Sequence, residues 1–171
     1  GRPFILLCFI GIMCHVGIDV GTNTYAPKVI SERLGLALNE AIFGTTVYFI
    51  CRTAGCFLGA FILRMMPPRS FFLISVLLMA AGMVILMTCH DLTMLFTGIG
   101  LIGVGNSNIF SVVFSQALIA APAERNEVSG LMIMGLFGGT IFPLGMGAAA
   151  GAVGQLGSII VMSAGVLYLL V

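Results

Sequence analysis

FILLCFIGIMCHVGIDVGTNTY, residues 4–25, decides the fold. A bilayer core is about 30 Å thick and needs about 20 apolar residues per helix. This run is long enough. A lipid-exposed segment must satisfy its own backbone groups, which leaves the α-helix as its state. On that helix His15, Asp19 and Asn23 fall four residues apart and share one face, with Thr22 beside them. At 1.5 Å per residue Asp19 lies about 22 Å from Phe4, toward the far end of the span. A charge near the bilayer centre costs about 2.5–3.5 kcal/mol on insertion scales, so it is rarely kept without a use. The stripe predicts a cavity-lining carboxylate that bonds a solute or takes a proton. A structural carboxylate paired with a neighbouring helix is the other reading.

Apolar runs of similar length recur at 41–63, 71–89, 92–120, 128–150 and 153–171. The expected fold is therefore all-α: a six-transmembrane-helix bundle forming one domain over 1–171. Pro67-Pro68 with Arg64 and Arg69 separates the second run from the third. His90-Asp91 separates the third from the fourth, and Pro122 with Glu124-Arg125-Asn126-Glu127 the fourth from the fifth. Gly151 and Gly154 mark the last boundary. Residues 26–40 read as the longest loop, with Asn39-Glu40 as a helix cap. The first run lacks the charged start and small-residue cleavage site of a signal peptide.

Composition agrees. The chain is 60% hydrophobic and 8% charged, against roughly 25% charged in soluble domains. Net charge is +1, and the basic residues are scattered, which argues against nucleic acid as a partner. Cys8, Cys14, Cys51, Cys56 and Cys89 all lie in apolar runs without metal-ligand spacing and read as small buried residues. No cofactor or metal is expected. Arg2, Arg64, Arg69 and Arg125 fall on one side of the expected membrane, and Lys28 and Arg33 on the other. Both chain ends are thus expected in the cytoplasm.

In the second run Arg52 lies about 16 Å along the helix, near the midplane, with Tyr48 one turn earlier on the same face. An Asp19–Arg52 pair is one arrangement these depths allow; a packing cation bonded to carbonyls is another. The fourth run holds Asn106 and Asn108. Continued as one helix, it puts Asn108 on a face with Ser111 and Ser115, while Asn106 points elsewhere with Phe110. Neutral amides and hydroxyls suit a polyhydroxylated, uncharged solute; interhelical bonding is the alternative use. Pro143 in the glycine-rich fifth run is expected to bend that helix. The candidate solute-binding residues are Asp19, Asn23, Tyr48, Asn106 and Asn108. The candidate coupling or gating residues are His15, Arg52, Arg64, Arg69 and Pro143.

Four stretches together resemble one half of a major facilitator superfamily transporter. They are HVGIDVGTNTY (15–25), CRTAGCFLGAFILRMMPPR (51–69), NSNIFSVVFSQAL (106–118) and LFGGTIFPLGMG (136–147). They are most similar to the C-terminal half of the fucose/glucose–galactose permease family of sugar:proton symporters. The resemblance implies half of a twelve-helix fold built of 3+3 inverted repeats, with the N-terminal six-helix half missing. It implies hexose or deoxyhexose transport with proton symport by alternating access, in a bacterial inner membrane. Helices one and four would face the central cavity. The Arg64/Arg69 loop would form a cytoplasmic latch. Asn108 and Ser111 depart from the family pattern and make the cavity more polar. A facilitator or exporter of a non-sugar solute and a non-transporting scaffold remain as alternatives. An intramembrane serine protease is excluded by the missing Gly-x-Ser-Gly nucleophile, and an aquaporin-like channel by the missing Asn-Pro-Ala half-helices. The chain is not expected to be an enzyme.

Overall fold

A computed structural model describes residues 2–170; Gly1 and Val171, at the ends of the expected domain and of its sixth run, lie outside the described residues. The elements are α1 (Arg2–Leu34), α2 (Leu38–Ala41), α3 (Phe43–Ile62), α4 (Pro68–Thr88), α5 (Leu92–Asn106), α6 (Ile109–Ala120), α7 (Arg125–Met134), a 3-10 turn (Gly135–Phe137), α8 (Gly138–Val153) and α9 (Gln155–Leu170). Five helical stretches are long and apolar enough to cross a membrane: Arg2–Leu34, Leu38–Ile62, Pro68–Thr88, Leu92–Ala120 and Arg125–Val153. Gln155–Leu170 is apolar but shorter. The chain is a helical membrane bundle.

Burial is arranged for lipid rather than water. His15, Thr22, Ser75, Asn106, Asn108 and Ser158 are buried, whereas Phe49, Phe57, Phe61, Phe137 and Leu144 are exposed. Polar groups turn inward because hydrocarbon offers them no hydrogen bonds. Small residues let the backbones approach. A side chain at Gly82 would meet the carbonyl of Gly98 at the crossing of α4 and α5, and one at Gly103 the carbonyl of Tyr48 at that of α5 and α3.

The helices sort into two groups of three spans. α5 packs chiefly on α4 and α3; α1 packs chiefly on α8 and α9, which also pack on each other. The groups join through α1 on α6 and α4 on α9. Exchanging the first three spans for the last three converts α5 on α4 into α1 on α9 and α5 on α3 into α1 on α8, while the α8–α9 packing has no comparable counterpart between α3 and α4.

The helix limits differ from the sequence reading in four places. α1 does not end near Tyr25; it continues through Pro27 to Leu34. It stops where Gly35, at φ 66°, turns left-handed and its N–H bonds Ser31 O at 2.9 Å. Asn39 makes no cap. The side chain that caps a span is Asp91, whose Oδ2 accepts from the N–H groups of Thr93 and Met94 at 3.1 and 3.3 Å. The fourth run is interrupted between Asn106 and Ile109. The fifth changes to a 3-10 turn at Gly135–Phe137, before Pro143 is reached.

Candidate functional site

The polar stripe of α1 meets α3 and α5 in a single chain of contacts. Asp19 Oδ2 lies 3.0 Å from Arg52 Nη2. Its Oδ1 accepts from the Tyr48 hydroxyl at 2.5 Å. Asn106 Nδ2 donates to Tyr48 Oη at 3.1 Å, and His15 Nδ1 lies 2.8 Å from Asn106 Oδ1. The spacing explains the assembly: His15 and Asp19 are one turn apart on α1, as are Tyr48 and Arg52 on α3, so two facing turns interlock. Asn106, the last residue of α5, closes the loop between them.

Exposure grades along the chain. Tyr48 and Asn106 are fully buried and His15 nearly so, while the Asp19 and Arg52 side chains are 17% and 30% exposed. The buried end is apolar around the ring of His15, with Phe110 at 6.3 Å between centroids and Phe114 stacked on Phe110. The open end carries the charge pair. Asn23 Oδ1 and Arg52 Nε are buried and have no partner among the described residues.

The other candidates are placed apart. Asn108 does not join the chain: its Nδ2 donates to Gly55 O at 2.9 Å and to Ser107 Oγ at 3.0 Å. The reason is the interruption before α6, which ends the register on which a common face with Ser111 and Ser115 was expected. Asn106, expected to point elsewhere, is the residue that reaches Tyr48. Asn23 contributes its backbone carbonyl to Thr45 Oγ1 at 3.1 Å. Arg64 and Arg69 are exposed around the α3–α4 connection, away from the chain. Pro143 lies within α8, and its carbonyl accepts from Tyr25 Oη at 3.2 Å. The cross-helix partners His15–Asn106 and Tyr25–Pro143 are pairings that no periodicity in a single helix could announce.

Two open grooves lie elsewhere. One, of about 370 Å³, is lined by Phe9, Met13, Met134 and Phe137. The other, of about 620 Å³, runs between α3, α4 and α5 past Cys51, Leu78, Phe96 and Thr97. Neither contains a member of the polar chain. No cluster of three or more His, Cys, Asp or Glu side chains suited to a metal ion occurs among the described residues.

The chain is similar to glucose/galactose transporters of Brucella abortus biovar 1 (strain 9-941) and Brucella abortus (strain 2308). Each is 26% identical over 154 residues, covering 88% of this chain and 37% of the relative. The chain thus spans little more than a third of the length of the curated relatives it matches. No family model matches. No solved structure matches.

Proposed function

We propose that this chain serves secondary active transport of a small polar solute, a hexose or deoxyhexose, with proton symport by alternating access. It acts as a transporter and not as an enzyme. In this reading the chain is one half of a twelve-helix major facilitator fold. It lies in a bacterial inner membrane with both ends cytoplasmic, and a six-helix N-terminal half completes it.

The observation that carries the reading is the polar chain itself. It joins α1, α3 and α5 and ends in a part-exposed charge pair. One wall of a cavity shared between two halves has that form. Two further facts support it. The correspondence of α5 on α4 and α3 with α1 on α9 and α8 is what two three-helix repeats would produce, and the matched relatives are called glucose/galactose transporters. Asp19 and Asn23, with the buried Tyr48 and Asn106 behind them, are the solute-binding set, and His15 and Arg52 support coupling. Arg64 and Arg69 belong to the cytoplasmic loop, and Pro143, inside α8, is the gating proline. Asn108 is reassigned to packing.

The test is uptake of labelled glucose and galactose by proteoliposomes holding the protein that contains this chain, with and without an imposed pH gradient. Gradient-driven accumulation is the expected result. Lack of any hexose uptake or exchange sinks the reading. A non-transporting scaffold, in contrast, predicts no stabilisation by any solute.

A further inference from the structure

We propose that the groove between α3, α4 and α5 is a phospholipid site, in which one acyl chain lies along α5 and the lipid phosphate sits at Arg33. The site stands whether or not the protein carries a sugar.

The groove exists because two consecutive spans part. α8 and α9 pack closely, and a side chain at Gly157 would collide with the carbonyl of Ala149. Among the described residues α3 and α4 make no comparable packing. Near their connection a side chain at Gly59 of α3 would still meet Phe71 of α4. Farther along, the glycines of α3 serve other helices: Gly55 approaches Ser107, and Gly44 approaches Ile30 and Ile99. α4 instead follows α5, held at the close crossing of Gly82 and Gly98. The space left between the diverging helices is the groove of about 620 Å³.

Its length and lining suit a lipid tail. α5 lines it from Leu92 to Val104, about 18 Å of helix at 1.5 Å per residue. One leaflet of a hydrocarbon core about 30 Å thick is about 15 Å deep. Cys51 of α3 and Leu78 of α4 form the other walls. The Thr97 hydroxyl donates to Thr93 O at 2.8 Å, so it asks nothing of an occupant. Apolar walls of this kind hold no water. An empty gap would forfeit the dispersion contacts that hold helices together in lipid. A hydrocarbon chain restores them.

Charge at one end selects a phospholipid. Leu92 and Thr93 follow the α4–α5 connection, and Arg33 reaches that connection, donating from Nη1 and Nη2 to the carbonyls of Cys89 and Met87. Two of the five guanidinium N–H groups are used there, and the others remain for a phosphate. Asp91, the acid of the connection, turns its carboxylate to the N–H groups of Thr93 and Met94 and is committed to α5. An acyl chain entering at Leu92 therefore leaves its phosphate beside Arg33.

The experiment uses the protein that contains this chain, in vesicles of phosphatidylethanolamine and phosphatidylglycerol. They are doped with a phosphatidylethanolamine that carries a diazirine midway along one acyl chain. After illumination the labelled residues are mapped by mass spectrometry. Label should concentrate on Cys51, Leu101 and Val104 over the exposed α4 face of Leu73, Leu77 and Val84, which any lipid touches. Thr97→Phe fills the groove and should bring its labelling down to the level of that face. Arg33→Gln should lower groove labelling about fivefold by removing a charge-assisted bond. Arg33→Lys keeps the charge but not the fork, and should stay near wild type. An Arg33 that only ties α1 to α4 would make both substitutions alike, and that result overturns the proposal. Wild-type labelling spread evenly over the groove and the α4 face also overturns it, whether or not the variants fold. So does crosslinking of the groove residues to a second copy of the chain instead of to lipid.

Discussion

Thr45 Oγ1 donates to the backbone carbonyl of Asn23 at 3.1 Å. That carbonyl is the one Pro27 leaves without a helical partner, because proline has no N–H to return to the residue four before it. A hydroxyl from α3 thus repairs the ladder of α1 and allows α1 to run on to Leu34. Hydrogen bonds from neighbouring helices are a known way to tolerate proline inside lipid.

The first prediction follows from that repair. Thr45→Val should cost about 1 kcal/mol, the usual net value of one such bond. Pro27→Ala supplies the missing N–H, so Thr45→Val in that background should cost little. The coupling is read from thermal unfolding of the four proteins in detergent. Strict additivity of the two substitutions would show that the hydroxyl does not serve the orphaned carbonyl.

Asp19 and Arg52 should behave as a unit. Either charge left alone in this part-buried position is expected to be worse than losing both. Asp19→Asn and Arg52→Gln should each lower stability by about 2–3 kcal/mol, and the double substitution should recover at least half of the summed loss. Denaturation in detergent measures this. A double variant as unstable as the two losses added would mean the charges do not compensate each other.

The span lengths and the polar stripe were legible because both depend on one helix at a time. His15, Asp19 and Asn23 on α1, and Tyr48 with Arg52 on α3, share faces by simple periodicity. The structure brings four of these five into one chain. Asn106 was misplaced for a definite reason. A face can be extrapolated only while the helix continues, and the backbone departs from α geometry at Asn108. The extension of α1 was hidden differently. Lys28, Glu32 and Arg33 resemble a loop by charge, yet they lie on the last turns of α1. The partners of Glu32 and Arg33 lie on distant turns, which local sequence does not record.

Those partners give the next prediction. Arg33 donates to the carbonyls of Cys89 and Met87 at the end of α4, at 2.5 and 3.0 Å. Glu32 accepts the N–H of Gln155 at the start of α9, at 3.0 Å. Each charge sits on the helix end whose dipole it favours. Arg33→Gln should raise hydrogen exchange around Cys89 to Asp91 severalfold and leave Gly154 to Gly157 unchanged. Glu32→Gln should do the reverse. Equal effects of both variants at both turns would argue against two separate ties.

Glycines on α8 should differ sharply in what they tolerate. A side chain at Gly138 would collide with the backbone of Met13 on α1, whereas Gly151 has nothing within 4 Å. Backbone cannot swing aside as a side chain can. Gly138→Ala is expected to cost about 2 kcal/mol by forcing the helices apart. Gly151→Ala is expected to be neutral or to stabilise by up to about 1 kcal/mol from helix propensity. Melting temperatures of the two variants check this, and equal shifts would remove the close α1–α8 crossing from the account.

On the proposed transport reading, the two asparagines of the interrupted fourth span separate solute contact from packing. Asn106 connects Tyr48 to His15, while Asn108 holds α3 through Gly55 O. Asn106→Ala should therefore abolish hexose-dependent stabilisation, because Tyr48 and through it Asp19 lose their fixed orientation. Asn108→Ala should instead lower the melting temperature of the free protein, by about 1 kcal/mol for the lost bond to Gly55, while glucose or galactose still raises it. Gly59 sharpens the contrast, since a side chain there would strike the Asn108 amide. Gly59→Ala should accordingly resemble Asn108→Ala and not Asn106→Ala. Thermal shifts measured with and without sugar distinguish the classes. A sugar response that survives Asn106→Ala but vanishes in Asn108→Ala would move the solute contact from the buried chain to the α6 side of the break.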